Sequence, residues 1–331
     1  MDASASRKLW LRVFVVGVVL VLFVLPQVAG RFWQYLTLNV LLLSLFSLSF
    51  NLLFGMTGLL SFGHAAFYAT GAYATALFLR TGMVPLLPSV IMGTVVAALL
   101  AALIGFFCVR HTHVYFAMLT LAFGMMVYAI VWKWTPVTGG DDGLVGIPRG
   151  SLSIPGLFTI RMGPLAHYYY FLTILALLGM YALYRISRSP FGLILNGMRE
   201  NAGRVEFAGI PARRYLWWTF TIAGLFAGLA GSLMAPLEST VAPASAHWAK
   251  SAEPVMASLI GGPFAFAGPI VGSLIYIGLK EVIVRFTQYW LLIFGAVLLV
   301  LVLGFRGGVV GVLLQRMPIA RAGVPLPPAE G

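Results

Sequence analysis

Five polar side chains lie closest to the middle of long apolar runs: Asn51, Ser61, His64, Glu253 and Glu281. Left unpaired in hydrocarbon, such groups cost on the order of a few kcal/mol each, so they must face protein or water. A carboxylate at that depth could be the titrating group of a proton-coupled carrier. Glu281, however, has Lys280 and Arg285 beside it near an expected helix end, where an interfacial ion pair accounts for it. His64 could hold a metal, but no second His or Cys stands at ligand spacing; a histidine at a helix end, bonded to backbone, is expected instead. Nucleotide chemistry has no residues to perform it: G-x-x-x-x-G-K-[ST] is absent and no Gly-Lys dipeptide occurs. Neither a G-x-S-x-G elbow nor an H-E-x-x-H pair occurs, so the expectation is a non-enzyme without cofactor or metal.

The densest charge lies elsewhere, in Arg185 to Arg214, RISRSPFGLILNGMRENAGRVEFAGIPARR. Ser189 followed by Pro190 is a helix start, a hydroxyl N-cap with proline at the first helical position. A short helix can run through Leu193 to about Arg199, and Asn201 and Gly203 break it. A second can span Arg204 to Ala208, stopped by Gly209 and Pro211. Six arginines, two glutamates and the apolar Phe191, Leu193, Ile194, Leu195 and Phe207 make a mixed surface that a soluble partner could bind. An ordinary positively charged loop is the rival explanation.

These residues must be positioned by a scaffold made for lipid. The chain has 331 residues, 60% hydrophobic and 9% charged, where soluble domains carry roughly 25% charged residues. The fold class is therefore all-α, a polytopic transmembrane helical bundle in one domain over 1–331; barrel-type alternation is absent. Apolar runs long enough to span lie at about 11–29, 36–54, 62–80, 87–109, 114–134, 166–184, 215–236, 266–284 and 288–305, with a weaker one over 243–262. The net charge of +12 comes from basic residues scattered singly at run ends, which speaks for membrane topology and against nucleic acid. Arg7, Lys8, Arg12, Arg110, the six arginines of 185–214, Arg306, Arg316 and Arg321 fit on the cytoplasmic side with both termini, provided the weak segment also crosses. Ten crossings result, or nine with a flipped tail. Residues 11–29 read as a retained helix, since no convincing cleavage site follows. Cys108 alone excludes an internal disulfide. The turn-rich stretch 135–165 falls on the outer face; its Asp141 and Asp142 suit an ordered, solvated loop better than a calcium site. Residues 315–331 read as a flexible tail.

Glycine and proline interrupt two apolar stretches in opposite halves, Asn51–Tyr73 and Ser258–Tyr276. Paired interruptions point to a transport pathway at an internal-repeat interface, and close helix packing explains the glycines equally well.

Taken in order, NLLFGMTGLLSFGHAAFYATGAY at 51–73, TGGDDGLVGIP at 138–148, RENAGRVEFAGI at 199–210 with FAGLAGSL at 226–233, and GGPFAFAGPIVGS at 261–273 resemble the permeases of branched-chain amino acid ABC importers. The TGG-x-DGL-x-GIP segment resembles the LivM-like member of the permease pair. The resemblance implies a second, LivH-like permease subunit, two ATPase subunits on the cytoplasmic face and an extracytoplasmic solute-binding protein. It implies that Arg199, Glu200, Asn201, Ala208 and Gly209 couple to the ATPase. Asn51, Gly58, Ser61, Gly63, His64, Gly261, Gly262, Gly268 and Pro269 are expected along the translocation pathway. Pro263, Phe264 and Ala265 replace the family's usual glycine-containing run after Gly262, and Leu59 and Leu60 follow Gly58; both departures touch the expected pathway. A urea, amide or aromatic-acid permease of the same family, and a secondary carrier driven by an ion gradient, are the alternatives.

Overall fold

The computed structural model describes residues 3–111, 113–154, 158–286, 289, 292–297, 299 and 308–311. Eleven α-helices are described along the chain: α1 (Ala3–Val28), α2 (Arg31–Thr57), α3 (His64–Arg80), α4 (Leu86–Cys108), α5 (His113–Lys133), α6 (Thr135–Thr138), α7 (Leu165–Ser187), α8 (Pro190–Phe207), α9 (Ala212–Glu238), α10 (Trp248–Gly261) and α11 (Gly268–Phe286). Four short strands, β1 (Leu144–Val145), β2 (Ser151–Ile154), β3 (Phe158–Arg161) and β4 (Thr240–Val241), form two antiparallel pairs, β1 with β4 and β2 with β3. The chain is an all-α helical bundle. Among the described helices, α2, α4, α5, α7 and α9 are long and apolar enough to cross a membrane. The span expected at 288–305 and the tail at 315–331 lie largely outside the described residues.

The bundle has two ends. At one, here the loop face, the loop around Gly150 sits over the end of α3 and the start of α4, with Gly150 against Leu79 and Leu86. The start of α2 meets the end of α9 there, through the Tyr35 hydroxyl donating to Glu238. At the other, the charged face, α8 lies beside the end of α2, and the start of α9 meets the end of α4, where the Trp217 indole donates to the Ala102 carbonyl. Helices α2 and α9 form the buried centre. Around them, α1, α4, α5 and α7 turn valine, leucine and phenylalanine side chains outward, as lipid demands.

Two units of opposite sense emerge. Helix α2 runs from the loop face to the charged face, ends at Gly58 in the left-handed region (φ 75°), and passes through residues 58–63 to the shorter α3. Helix α9, like α2 27 residues long, runs the other way, ends at Ser239 (φ 58°), and passes through 239–247 to the 14-residue α10. The N-termini of the two short helices meet inside the bundle, where the Ala65 amide donates to the Ser251 hydroxyl at 2.8 Å. Helices α4 and α11 complete the two copies. This is an inverted-topology repeat.

The repeat corrects the sequence reading in one respect. The structural partner of the 58–63 interruption is 239–247, not the stretch around 258–276. Glycine misled here: Cβ atoms at Gly261, Gly268 and Gly272 would run into the Gly268, Gly262 and Ala257 carbonyls, so these glycines let α10 and α11 pack closely. The true break is made with Ser239, Pro243 and a 3₁₀ turn, Pro243–Ala246. It also explains why 243–262 read as a weak span. Fourteen α-helical residues reach about 21 Å, short of a hydrocarbon core of about 30 Å, and the 3₁₀ turn supplies the rest.

Candidate functional site

Two polar places stand out in this apolar scaffold. The first lies at the charged face, where α2 ends. The last carbonyls of any helix lack intrahelical partners. Arg199 of α8 answers one of them: its Nη1 donates to the Gly55 carbonyl at 2.9 Å, a cation set at the negative end of the helix. The same guanidinium lies 4.1 Å from the Phe264 ring centre. One side chain of α8 thus touches both the end of α2 and the turn between α10 and α11. Alongside, Asn51 Nδ2 donates to the Pro263 carbonyl at 3.0 Å, which ties α2 to that turn. Burial lowers the Arg199 guanidinium from its ordinary pKa, with the adjacent Glu200 acting in the opposite direction; an arginine stays charged throughout.

Helix α8 itself follows the expected plan with one change. Ser189 takes the N-cap position with Pro190 behind it, but its hydroxyl donates back to the Ile186 carbonyl and caps nothing. The break falls at Asn201, which adopts φ −161°, ψ 102° and caps the second piece by accepting from the Arg204 amide at 3.0 Å. Gly209, at φ 82°, closes that piece in the left-handed region. Glu200, Asn201, Ala208 and Gly209 are exposed. Leu195 is buried and Phe191 stacks on Tyr215, whereas Leu193 is 74% and Phe207 95% exposed. Arg199 is exposed too, but unlike the other four expected coupling residues its side chain bonds a different helix, at Gly55 of α2.

The residues expected along the pathway are brought together in part. Gly63 packs against the Thr120 carbonyl and Gly124, and Gly268 and Pro269 open α11 in contact with α10. His64 is fully buried, and its Nε2 bonds the Ser49 hydroxyl at 3.0 Å. The backbone bond expected of it is therefore replaced by a side-chain one, because α3 begins deep beside α2 rather than at a helix-end surface. Asn51 Oδ1, Ser61 Oγ, His64 Nδ1 and Ser258 Oγ are buried without a hydrogen bond among the described residues. The Ser47 and Ser273 hydroxyls, 3.2 Å apart, continue this polar seam between α2 and α11.

The second place is a groove of about 330 Å³ between α2, α3, α10 and α11, and none of the expected pathway residues borders it. In it Lys250 Nζ and Glu253 Oε2 form an ion pair at 2.6 Å, one helical turn apart on α10. Lys250 Nζ lies 5.2 Å from the centre of the Tyr68 ring. Tyr276, Leu42, Leu43, Phe46 and Ile277 form the walls, and Asn39, Lys280 and Glu281 stand nearer the loop face. Glu253 is visible in the sequence as a carboxylate at membrane depth, whereas its pairing with Lys250 is not. The i, i+3 spacing of Lys250 and Glu253 was the available signal. Glu281 pairs with Arg285 at 3.1 Å at the exposed end of α11, as its neighbours implied. Asp141 accepts from the Trp132 indole at 2.9 Å, and among the described residues no group of three His, Cys, Asp or Glu could hold a metal.

Residues 33–303 match the family model described as branched-chain amino acid transport system / permease component. The chain is 26% identical to the high-affinity branched-chain amino acid transport system permease protein LivM of Escherichia coli, over 91% of this chain and 75% of the relative. The LivM protein of Salmonella typhimurium is 25% identical over the same shares. A probable branched-chain amino acid transport permease protein LivH of Methanocaldococcus jannaschii is 24% identical over 74% of this chain and 78% of the relative. No solved structure matches.

Proposed function

The chain belongs to the branched-chain amino acid transport permease family, and from that premise we propose that it forms the translocation path for branched-chain amino acids or related small amphipathic solutes. It is a multi-pass membrane subunit of an ABC importer. Its partners are a LivH-like second permease, two ATPase subunits and an extracytoplasmic solute-binding protein. The charged face is cytoplasmic together with both termini, because it carries the arginines of 185–214 and Arg110. The loop face receives the binding protein.

The observation that carries the reading is the form of α8: an exposed surface with Leu193, Glu200 and Phe207 outward, and Arg199 reaching inward to Gly55 and Phe264. A large side chain as open as Phe207 at a membrane protein's charged end suits a soluble partner. When the ATPase pair closes on nucleotide, α8 is displaced. Arg199 carries that displacement to the end of α2 and to the α10–α11 turn, and the two inverted units rock against each other. The departure at Phe264 has a place in this scheme: its ring is the platform for Arg199.

Reconstitution tests it. With partner permease, ATPases and binding protein in liposomes, leucine uptake must require ATP and all four components. Uptake by this chain alone, driven by an ion gradient, would contradict it.

A further inference from the structure

We propose that the groove holding Lys250 and Glu253 recognises zwitterionic α-amino acids, Lys250 taking the carboxylate and Glu253 the ammonium group. The inference rests on the transport reading above and names the chemistry of the passage. Four observations carry it. The groove has about 330 Å³, within the range of small-molecule sites. Its charged pair is reachable, with side chains 26% and 19% exposed, rather than sealed in the bundle. The aromatic face of Tyr68 beside Lys250 is a further cation-binding surface. One stretch of the wall, Leu42, Leu43, Phe46 and Ile277, is aliphatic and aromatic, suited to a branched hydrocarbon side chain, while the polar Asn39, Lys280 and Glu281 lie toward the loop face.

Charge accounting sharpens the choice of ligand. Lys250 and Glu253 sum to zero, and removing one partner of a desolvated pair leaves the other uncompensated at heavy cost. A zwitterion can exchange partners with both groups at once, so every charge stays paired as it enters. A monocarboxylate or an amine leaves one protein charge without a partner. Urea or a simple amide has no charge to exchange and leaves the pair closed. The groove therefore admits the zwitterion over either ion alone.

The test uses the permease assembled with its partner permease and ATPases in nanodiscs. Cys108, buried in α4, is replaced by Ala, and Leu36→Cys on the groove wall is the reporter for a membrane-impermeant maleimide. Leucine at about tenfold above half-protection should slow labelling about tenfold, while isoamylamine and 4-methylpentanoate should not. Glu253→Gln should abolish leucine protection and let 4-methylpentanoate protect; Lys250→Met should do the same for isoamylamine. Should a single variant fail to assemble, the exchanged pair K250E/E253K keeps the net charge and must still be protected by leucine. Labelling unmoved by leucine in the unaltered groove, or equal leucine protection in Glu253→Gln, overturns the proposal. Leucine uptake by the same assembly in liposomes reports on the transport reading separately. Protection without uptake strikes that reading alone, and uptake without protection strikes the site alone.

Discussion

The two polar places in this bundle solve the same problem in opposite ways. At the charged face one cation, Arg199, is held by a backbone carbonyl and an aromatic ring, with no carboxylate in contact among the described residues. In the groove a cation is held by a carboxylate 2.6 Å away. The first arrangement belongs at a boundary where water can still screen the charge and where the contact must tie one element to another. The second belongs deeper, where an unpaired charge is intolerable and a neutral pair is the least costly way to keep polar groups. A mechanical joint and a recognition surface thus differ in how their charges are balanced.

Breaking the scaffold that both share should have the largest effect. Gly272→Val drives a side chain into the Ala257 carbonyl where α11 packs on α10, and should cost more than about 3 kcal/mol. Almost no folded permease should then be recovered on size-exclusion chromatography in detergent. Arg199→Ala should next separate the two regions. It removes the tie from α8 to Gly55 and Phe264 while leaving the groove untouched, so leucine uptake per ATP hydrolysed should fall about tenfold, equivalent to about 1.4 kcal/mol of coupling. Leucine protection of the groove should persist. Phe264→Gly removes only the ring beneath the guanidinium, worth about 0.5–1 kcal/mol at such a site, and should lower the same ratio about threefold. Asn201→Ala deletes an exposed N-cap on the second piece of α8. It should cost about 1 kcal/mol of local helix stability, read as faster amide exchange over residues 204–207, and should lower uptake less than either Arg199→Ala or Phe264→Gly.

How much of this was legible in the sequence follows the physics of each signal. The bounds Leu86–Cys108 and His113–Lys133 lay within a residue of their apolar runs, because hydrophobic length is what lipid selects, whereas α1 and α2 begin several residues before theirs. The break of α8 at Asn201 and its stop at Gly209 were legible from turn and cap chemistry, which is local. The symmetry of the two units was not. Its first break announces itself with Gly58, while its second uses Ser239 in the left-handed region, a conformation serine gives no advance sign of. The ion pair was half legible: Glu253 is conspicuous, but that it lines a groove with Tyr68 and Tyr276 depends on contacts from distant parts of the chain. Nor could the sequence say that the Arg199 head group bonds the end of α2 although the residue is exposed, as are Glu200 and Asn201, since side-chain direction on a broken helix depends on what it meets.

The central claim, that α8 is the surface the ATPase grips, is tested most directly at Phe207. In a Cys108→Ala background, Phe207→Cys changes a side chain that is 95% exposed and leaves the fold undisturbed. A membrane-impermeant maleimide should label it in inside-out vesicles and not in right-side-out ones, and assembly with the ATPase subunits should block that labelling. Labelling from the extracytoplasmic side, or labelling that the bound ATPase leaves unchanged, would contradict the account.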